Sequence, residues 1–212
     1  GMSQYLFYPM MDAYISAGYL SDAYQRGYGY PHYGMDLDER GGKGFDVIAG
    51  GEGTVLGVEK NQNSIGGVVV IRYDGVIDPA TGDARDLIAR HYHLETVQVA
   101  KGEKVRAYQP IGHVSGNHKW WNHVHLELDT DTAYPFNTPQ VSEGASRLLV
   151  RYPATAATLL NPAAILVVGK RQKAQVHPLA VYADDRDKPR WREEDLPAPG
   201  KAVCPACGRE LP

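Results

Sequence analysis

The chain has 212 residues, of which 43% are apolar and 22% are charged. This composition excludes global disorder and predicts one globular domain with a sizeable core and an additional segment. The net charge is −3, and no lysine- or arginine-rich patch is interleaved with aromatic residues, which argues against nucleic acid as a partner. The longest apolar runs, 68–71 and 164–168, are far shorter than the roughly 20 residues of a transmembrane helix.

Tyrosine is concentrated in the first part of the chain, between residues 5 and 33. Gly18, Gly27, Gly29 and Pro31 would interrupt a long helix there. Because aromatic residues favour extended structure, we expect short strands and loops with one early helical turn. The tyrosines are interpreted as packing residues, with a tyrosine-rich groove wall as the alternative.

From about residue 45 onward the pattern is that of β-structure. Short apolar or alternating runs follow one another, and glycine, asparagine, aspartate or proline separates most of them. This pattern predicts a mainly β fold, with an antiparallel sheet or sandwich as its core and few short helices. The runs are 47–49, 54–58, 68–73, 88–94, 105–107, 111–114 and 124–128.

The pattern weakens after the last of these runs. Residues 142–160 predict a loop followed by a helical stretch that ends at Asn161-Pro162. Beyond a further apolar run, charged residues and proline dominate, which is typical of a linker or tail. We therefore predict a domain over residues 1–175 and a charged, proline-rich tail over residues 176–212.

The tail contains both cysteines of the chain, Cys204 and Cys207, in one Cys-x-x-Cys pair. No disulfide framework can therefore hold the main body together. The spacing is that of half a zinc knuckle, and a four-thiolate site needs a second pair. We expect a reduced tail or a metal site shared by two chains, with a reversible disulfide as a third alternative. The protein is otherwise expected to be a monomer.

Histidine and aspartate recur in three short segments of the main body: PHYGMD, HYHL and NHVHLEL. Neutral imidazole nitrogens and a carboxylate oxygen suit Zn²⁺, and a catalytic zinc takes three protein ligands and one water. Residues two apart on a strand share a face, with a rise of roughly 7 Å. The segments therefore predict one zinc site with two further histidines beside it. The five residues are His32, Asp36, His93, His123 and His125.

The order and spacing of these motifs resemble the lysostaphin-type (LytM-like) zinc metallopeptidases, which cut peptidoglycan peptides. The segments that carry the resemblance are PHYGMDLD, VIAGGEGTVLGV, VVVIRYDG, HYHLETVQVAKGEKVRAYQPIGHVSGN and HVHLEL. Together with the preceding segment ISAGY (15–19), they cover roughly residues 14–130. The resemblance implies a small antiparallel, duplicated-hybrid-motif-like β fold with a long open substrate groove.

By position, the resemblance implies that His32, Asp36 and His125 bind one catalytic Zn²⁺ and that His93 and His123 are the catalytic histidines. The implied activity is zinc-dependent cleavage of stem or cross-bridge peptides of peptidoglycan. The HExxH helix of other zinc peptidases is absent, so its glutamate cannot be the general base. A non-hydrolytic member of the same fold that binds wall peptides or a partner protein is the alternative.

The family also implies an extracellular or cell-envelope location. The first residues of the chain have neither a basic nor an apolar signal region. We therefore expect that an export signal precedes this sequence or that the protein reaches the wall by another route, such as phage-type delivery from the cytoplasm.

His91 occupies a position at which the family usually has tyrosine. On a regular strand it would share a face with His93, so two histidines compete for one catalytic role. Leu94 follows His93, as in the family pattern, and we therefore assign the role to His93. His91 is then a candidate for a groove residue or for a partner of a metal ligand.

Other residues near the motifs are candidates for supporting roles. Glu127 would share a strand face with His125 and could accept a hydrogen bond from a ligand imidazole. Trp120 and Trp121 replace a glycine-rich turn and are either substrate-stacking or core residues. The additions at 76–86 and 134–153 relative to the family have no role that the sequence reveals.

Overall fold

The computed structural model describes residues 2–39, 41–117, 122–200, 206, 207 and 209. Strands dominate these residues, and the helices are short, which confirms the predicted mainly β fold. The strands are β1 (Leu6–Phe7), β2 (Asp12–Ala17), β3 (Met35–Asp38), β4 (Gly44–Ile48), β5 (Gly53–Glu59), β6 (Gly67–Ile77), β7 (Ala84–Leu94), β8 (Thr96–Val97), β9 (Lys104–Val105), β10 (Pro110–Ser115), β11 (Val124–Asp129), β12 (Asn137–Thr138), β13 (Val150–Arg151), β14 (Leu159–Leu160), β15 (Leu166–Val168), β16 (Lys173–Val176) and β17 (Trp191–Arg192). The helices are α1 (Asp22–Tyr28) and α2 (Pro162–Ile165), and 3-10 turns cover Pro153–Ala157, Asp185–Asp187 and Glu193–Asp195.

The main sheet has the order β16-β2-β3-β11-β7-β6-β5-β9, with β14 also paired to β11. All of its pairs are antiparallel except β16 with β2. Three smaller sheets have the orders β4-β10-β8, β1-β15-β17 and β12-β13. The predicted antiparallel core is therefore confirmed, and β11 lies near its centre.

Strand β6 shows why the apolar run 68–71 is continuous. Val69 packs in the larger core with Leu126, whereas Val68 and Val70 pack in a second cluster on the opposite face. Residues of the addition at 134–153 cover that second face. A strand that is buried on both faces needs apolar residues at consecutive positions, and the sequence supplies them.

The predicted helical stretch before Asn161-Pro162 is wrong. The structure has a short 3-10 turn at Pro153–Ala157, and α2 begins at Pro162. The Asn161 side chain accepts a hydrogen bond from the Ala163 backbone N–H, which caps the new helix. Asparagine before proline is a start signal for a helix as well as a stop signal, because proline is tolerated in the first turn.

Residues beyond the predicted domain end near residue 175 pack against the main body. Strand β17 pairs with β15, and the Trp191 indole N–H donates to the Ala164 carbonyl oxygen at 3.2 Å. The Tyr5 hydroxyl donates to the Pro197 carbonyl oxygen at 2.6 Å. Charge and proline indicated a linker, but here they form capped turns that are anchored by apolar residues. Among the described residues, no helix has the length and apolar character needed to cross a membrane.

Candidate active site

Three neighbouring segments bring the predicted metal ligands together. Asp36 on β3 lies directly opposite His125 on β11, and His32 lies in the loop before β3. Their ligand atoms all lie within 4.8 Å of one another. Gly34 permits this approach, because a Cβ atom there would lie 2.4 Å from the Leu126 carbonyl oxygen and 2.7 Å from the His125 ring.

The distances between individual atoms define the cluster. The Asp36 Oδ1 atom lies 3.0 Å from His32 Nε2 and 2.9 Å from His125 Nδ1. The two nitrogens are 3.2 Å apart. One carboxylate oxygen and two imidazole nitrogens therefore converge on one point, which is the donor set that zinc prefers.

The second ring nitrogen of His32 and that of His125 each have a hydrogen-bond partner. His32 Nδ1 lies 2.9 Å from the Gly18 carbonyl oxygen, and His125 Nε2 lies 3.1 Å from Glu127 Oε2. Because these acceptors hold the proton on the outer nitrogen, the lone pairs of His32 Nε2 and His125 Nδ1 face the cluster.

Buried charge favours a cation at this point. Burial acts to lower the pKa of His125, but its hydrogen bonds to Asp36 and Glu127 raise that pKa to about 9. Burial acts to raise the pKa of Asp36, but the neighbouring histidines, first His32 and then His123, hold it well below its usual value. The same negative charge that binds a proton at His125 would bind a divalent cation in its place.

His93 and His123 lie beside the ligand cluster, with ring centroids 5.0 Å apart. The His93 Nδ1 atom lies 2.7 Å from the Ile65 carbonyl oxygen, and His123 Nε2 lies 3.4 Å from Asp36 Oδ2. Burial lowers the pKa of both imidazoles below the usual histidine value. Both are therefore neutral near pH 7 and able to accept a proton.

The expectation that His91 and His93 share a strand face is wrong. His93 has a φ of 73°, a left-handed conformation that breaks the alternation of β7 and turns its ring toward the site. His91 keeps the regular pattern and is buried opposite Leu126 and Val69. It does not contribute to the wall of the cavity at the site, so the predicted groove role of His91 is wrong.

The buried position of His91 makes stability depend on pH. Burial lowers the pKa of His91 to about 4 against the opposing effect of its hydrogen bond to the Val69 carbonyl oxygen. The unfolded chain, in which histidine titrates near 6.5, binds more protons in this window, so stability is lost as pH falls from about 6.5 to about 4. Over this pH range the free energy of unfolding falls by about 3 kcal/mol because of His91.

We expect His91→Asn to remove this pH dependence. The asparagine amide can still donate to the Val69 carbonyl oxygen, from which His91 Nδ1 is 3.0 Å away, but it does not titrate. Denaturant unfolding at pH 7 and pH 4 should show that the variant loses about 3 kcal/mol less than the native chain. An unchanged loss would show that other groups cause the acid sensitivity.

The cavity at the site has a volume of about 390 Å³. Tyr28 and Tyr30 line one side and are about half exposed, as the groove-wall alternative expects, and both rings also pack against Tyr24. Gln140 and Val141 from the addition at 134–153 line another side. The groove wall is therefore formed in part by residues that precede the first motif and in part by residues that follow the last one.

The structure also shows site residues that the sequence analysis missed. Arg90 lies directly opposite Glu127 and contacts it, and Thr138 contacts the same carboxylate. Arg90, the single arginine in the alternating run 88–94, was an available signal, whereas Thr138 had none. Trp120, Trp121 and Cys204 lie outside the described residues, and Cys207 is an exposed free cysteine.

Comparison with known proteins gives the family. Residues 30–137 match the sequence model of Peptidase family M23, which is about half of the chain. The chain belongs to peptidase family M23. The matched range contains His32, Asp36, His93, His123 and His125, and the resemblance to lysostaphin-type peptidases is thereby confirmed.

Individual relatives match different shares of the chain. Stage II sporulation protein Q of Bacillus subtilis (strain 168) is 36% identical over 102 residues, which are 46% of this chain and 32% of the relative. The chain thus spans about a third of that relative. A chain from the structure of the SpoIIQ-SpoIIIAH pore forming complex has 22% identity and a TM-score of 0.51, with 78% of this chain and 92% of that chain covered. The solution structure of lysostaphin has 18% identity and a TM-score of 0.46, with 71% of this chain and 48% of that chain covered.

Proposed function

We propose that this M23 chain is a zinc-dependent endopeptidase that cleaves stem or cross-bridge peptides of peptidoglycan. The observation that carries the proposal is the convergence of His32, Asp36 and His125, whose ligand atoms lie within 4.8 Å of one another. His93 and His123 line the cavity beside them. A metal site next to two neutral imidazoles is suited to hydrolysis.

His32, Asp36 and His125 would hold the metal. When bound, zinc supplies a Lewis acid for the scissile carbonyl group and lowers the pKa of water to about 7. Their buried donor set fits this ion, because two neutral imidazoles and one carboxylate leave a net charge of about +1 at the site.

His93 and His123 would handle protons. The Ile65 carbonyl oxygen accepts the Nδ1 proton of His93, so Nε2 is the basic nitrogen of that ring. The Asp36 carboxylate lies 3.4 Å from His123 Nε2 and would stabilise the positive charge that His123 acquires on accepting a proton. The pair can therefore take a proton from water and donate one to the leaving amine.

Incubation with purified muropeptides tests the activity. We expect peptide fragments that are identifiable by mass spectrometry, loss of cleavage after treatment with a chelator, and recovery on addition of zinc. The masses also identify the bond that is cut. Intact muropeptides in the presence of the zinc-loaded protein would contradict the proposal.

A second candidate is a non-hydrolytic member that binds a partner protein. The similarity to stage II sporulation protein Q favours it, as does the shared fold with a chain of the SpoIIQ-SpoIIIAH pore forming complex. Titration calorimetry with purified SpoIIIAH gives the decisive comparison. Saturable binding together with intact muropeptides would support this candidate, and cleavage would support the first.

We propose a cell-envelope location, because peptidoglycan is the substrate. Fractionation of cells that express the native gene would test this location. Recovery of the protein only with the cytoplasm would contradict it.

A further inference from the structure

Arg90 is a fully buried arginine close to the site. Its Nε atom lies 2.9 Å from Glu127 Oε1, and its Nη2 atom lies 2.7 Å from Asp129 Oδ2. All three side chains are 0% exposed. Burying three charges is costly, and apolar residues of similar volume often replace such a group without loss of stability. Stability alone therefore does not account for this buried group.

Glu127 connects this buried group to the metal ligands. Its Oε2 atom lies 3.1 Å from His125 Nε2, whereas its Oε1 atom accepts from Arg90 at 2.9 Å and from the Thr138 hydroxyl at 2.7 Å. Both carboxylate oxygens thus have fixed partners, and the carboxylate cannot rotate without losing them. The orientation of the His125 ring follows from the orientation of Glu127.

The addition at 134–153 completes the group. Arg90 Nη1 donates to the Pro135 carbonyl oxygen at 3.0 Å, and the Thr138 Oγ1 atom lies 2.8 Å from the Tyr92 hydroxyl. The backbone N–H of Gln140 donates to the same Oγ1 at 3.1 Å. The segment that supports Glu127 therefore also supplies the Gln140 wall of the cavity.

We propose that Arg90 and Thr138 are positioning residues for the metal centre. They hold Glu127 so that it keeps the proton of His125 on Nε2 and directs Nδ1 toward His32 and Asp36. The addition at 134–153 is then a support for the metal ligands as well as a wall of the groove. This inference depends on the proposed function only in taking zinc as the metal.

Zinc affinity measures this role separately from hydrolysis. In competition with a chromophoric chelator, we expect Thr138→Val and Arg90→Met to bind zinc roughly 10-fold more weakly than the native chain, the lower end of the cost of losing a direct partner of a metal ligand, because both act on His125 through Glu127. Thr138→Val is nearly isosteric, and it decides the question if Arg90→Met does not fold.

Two matched controls separate positioning from general damage. Arg72 on β6 also pairs with two carboxylates, those of Asp74 and Asp86, but it is partly exposed. The Thr130 hydroxyl donates to the Thr158 carbonyl oxygen at 2.8 Å and does not contact Glu127. We expect Arg72→Met and Thr130→Val to bind zinc within about twofold of the native chain, because neither contacts a partner of a metal ligand.

A spectroscopic readout reports on His125 itself. In ¹H–¹⁵N spectra of the zinc-loaded protein, the His125 Nε2 proton should exchange slowly with solvent in the native chain and in Thr130→Val. It should exchange faster in Thr138→Val. A loss of fold stability alone would not confine the change to this proton.

The outcomes separate this inference from the proposed function. Native zinc affinity and slow exchange in Thr138→Val would overturn the inference and leave the proposed function intact. Weak zinc binding in Thr138→Val with no muropeptide cleavage by the native chain would overturn the proposed function and support the inference. A native chain that binds no zinc would overturn both.

Discussion

His125→Ala is expected to abolish zinc binding and, with it, hydrolysis. The variant loses Nδ1, which lies 2.9 Å from Asp36 Oδ1, and keeps only His32 and Asp36 as ligands. Losing the partner of a ligand costs roughly 10- to 100-fold in metal affinity, so losing a ligand should cost at least about 100-fold. Elemental analysis should show a zinc content far below that of the native chain.

Fold stability is the main alternative explanation for such a loss. The alanine leaves Glu127 with its hydrogen bonds to Arg90 and Thr138, so that carboxylate remains paired. Circular dichroism should therefore show a folded variant. His113→Ala is the matched control, because His113 also contacts a carboxylate, that of Asp46 at 3.0 Å, but lies on β10 away from the cluster. Full zinc content in His125→Ala would show that the ligands are different residues.

Strand periodicity is local, so it predicted that His125 and Glu127 share a face, whereas the set of His32, Asp36 and His125 came from the family resemblance. Along β11, alternate residues Val124 and Leu126 pack in the main core, and His125 and Glu127 point to the other face. This alternation follows directly from the pattern of polar and apolar residues. The pairing of His125 with Asp36 came instead from the family resemblance, since no local pattern specifies strand register.

The orientation of His93 could not be predicted from periodicity. Its φ of 73° reverses the face on which the ring lies, and apolar patterning carries no signal for one left-handed residue in a strand. Gly66 is the complementary feature, because a Cβ atom there would lie 2.9 Å from the Cα atom of His93. A glycine distant in sequence thus accommodates the backbone that directs a predicted catalytic residue.

Long-range packing explains the other differences. The apolar run 68–71 indicated burial on both faces, but no feature of the run identified residues 134–153 as the cover. Charge and proline after residue 175 indicated a tail, whereas Trp191 and Leu196 pack against a buried cluster of the main body that contains Tyr5, Ile77 and Val167. Composition reports the solvent preference of a segment and does not report the contacts of its few apolar residues.

His123→Ala and His93→Ala are expected to keep zinc and lose turnover. Neither residue belongs to the ligand cluster, and both line the cavity beside it. General acid–base catalysis contributes roughly 10²- to 10⁴-fold, so kcat should fall by at least about 100-fold. KM should change little, because the cavity walls remain.

Three quantities should be measured for each variant: zinc content, kcat and KM with the muropeptide that the native chain cleaves best. Together they separate loss of metal from loss of proton transfer. His91→Asn is the informative comparison, since His91 is two residues from His93 but is buried on the opposite face of the sheet. It should retain turnover, whereas His93→Ala should not. Because zinc would remain in all of these proteins, a loss of turnover confined to His93→Ala and His123→Ala would assign proton transfer to those two rings. Near-native turnover in His123→Ala would instead leave the metal site as the sole source of catalysis.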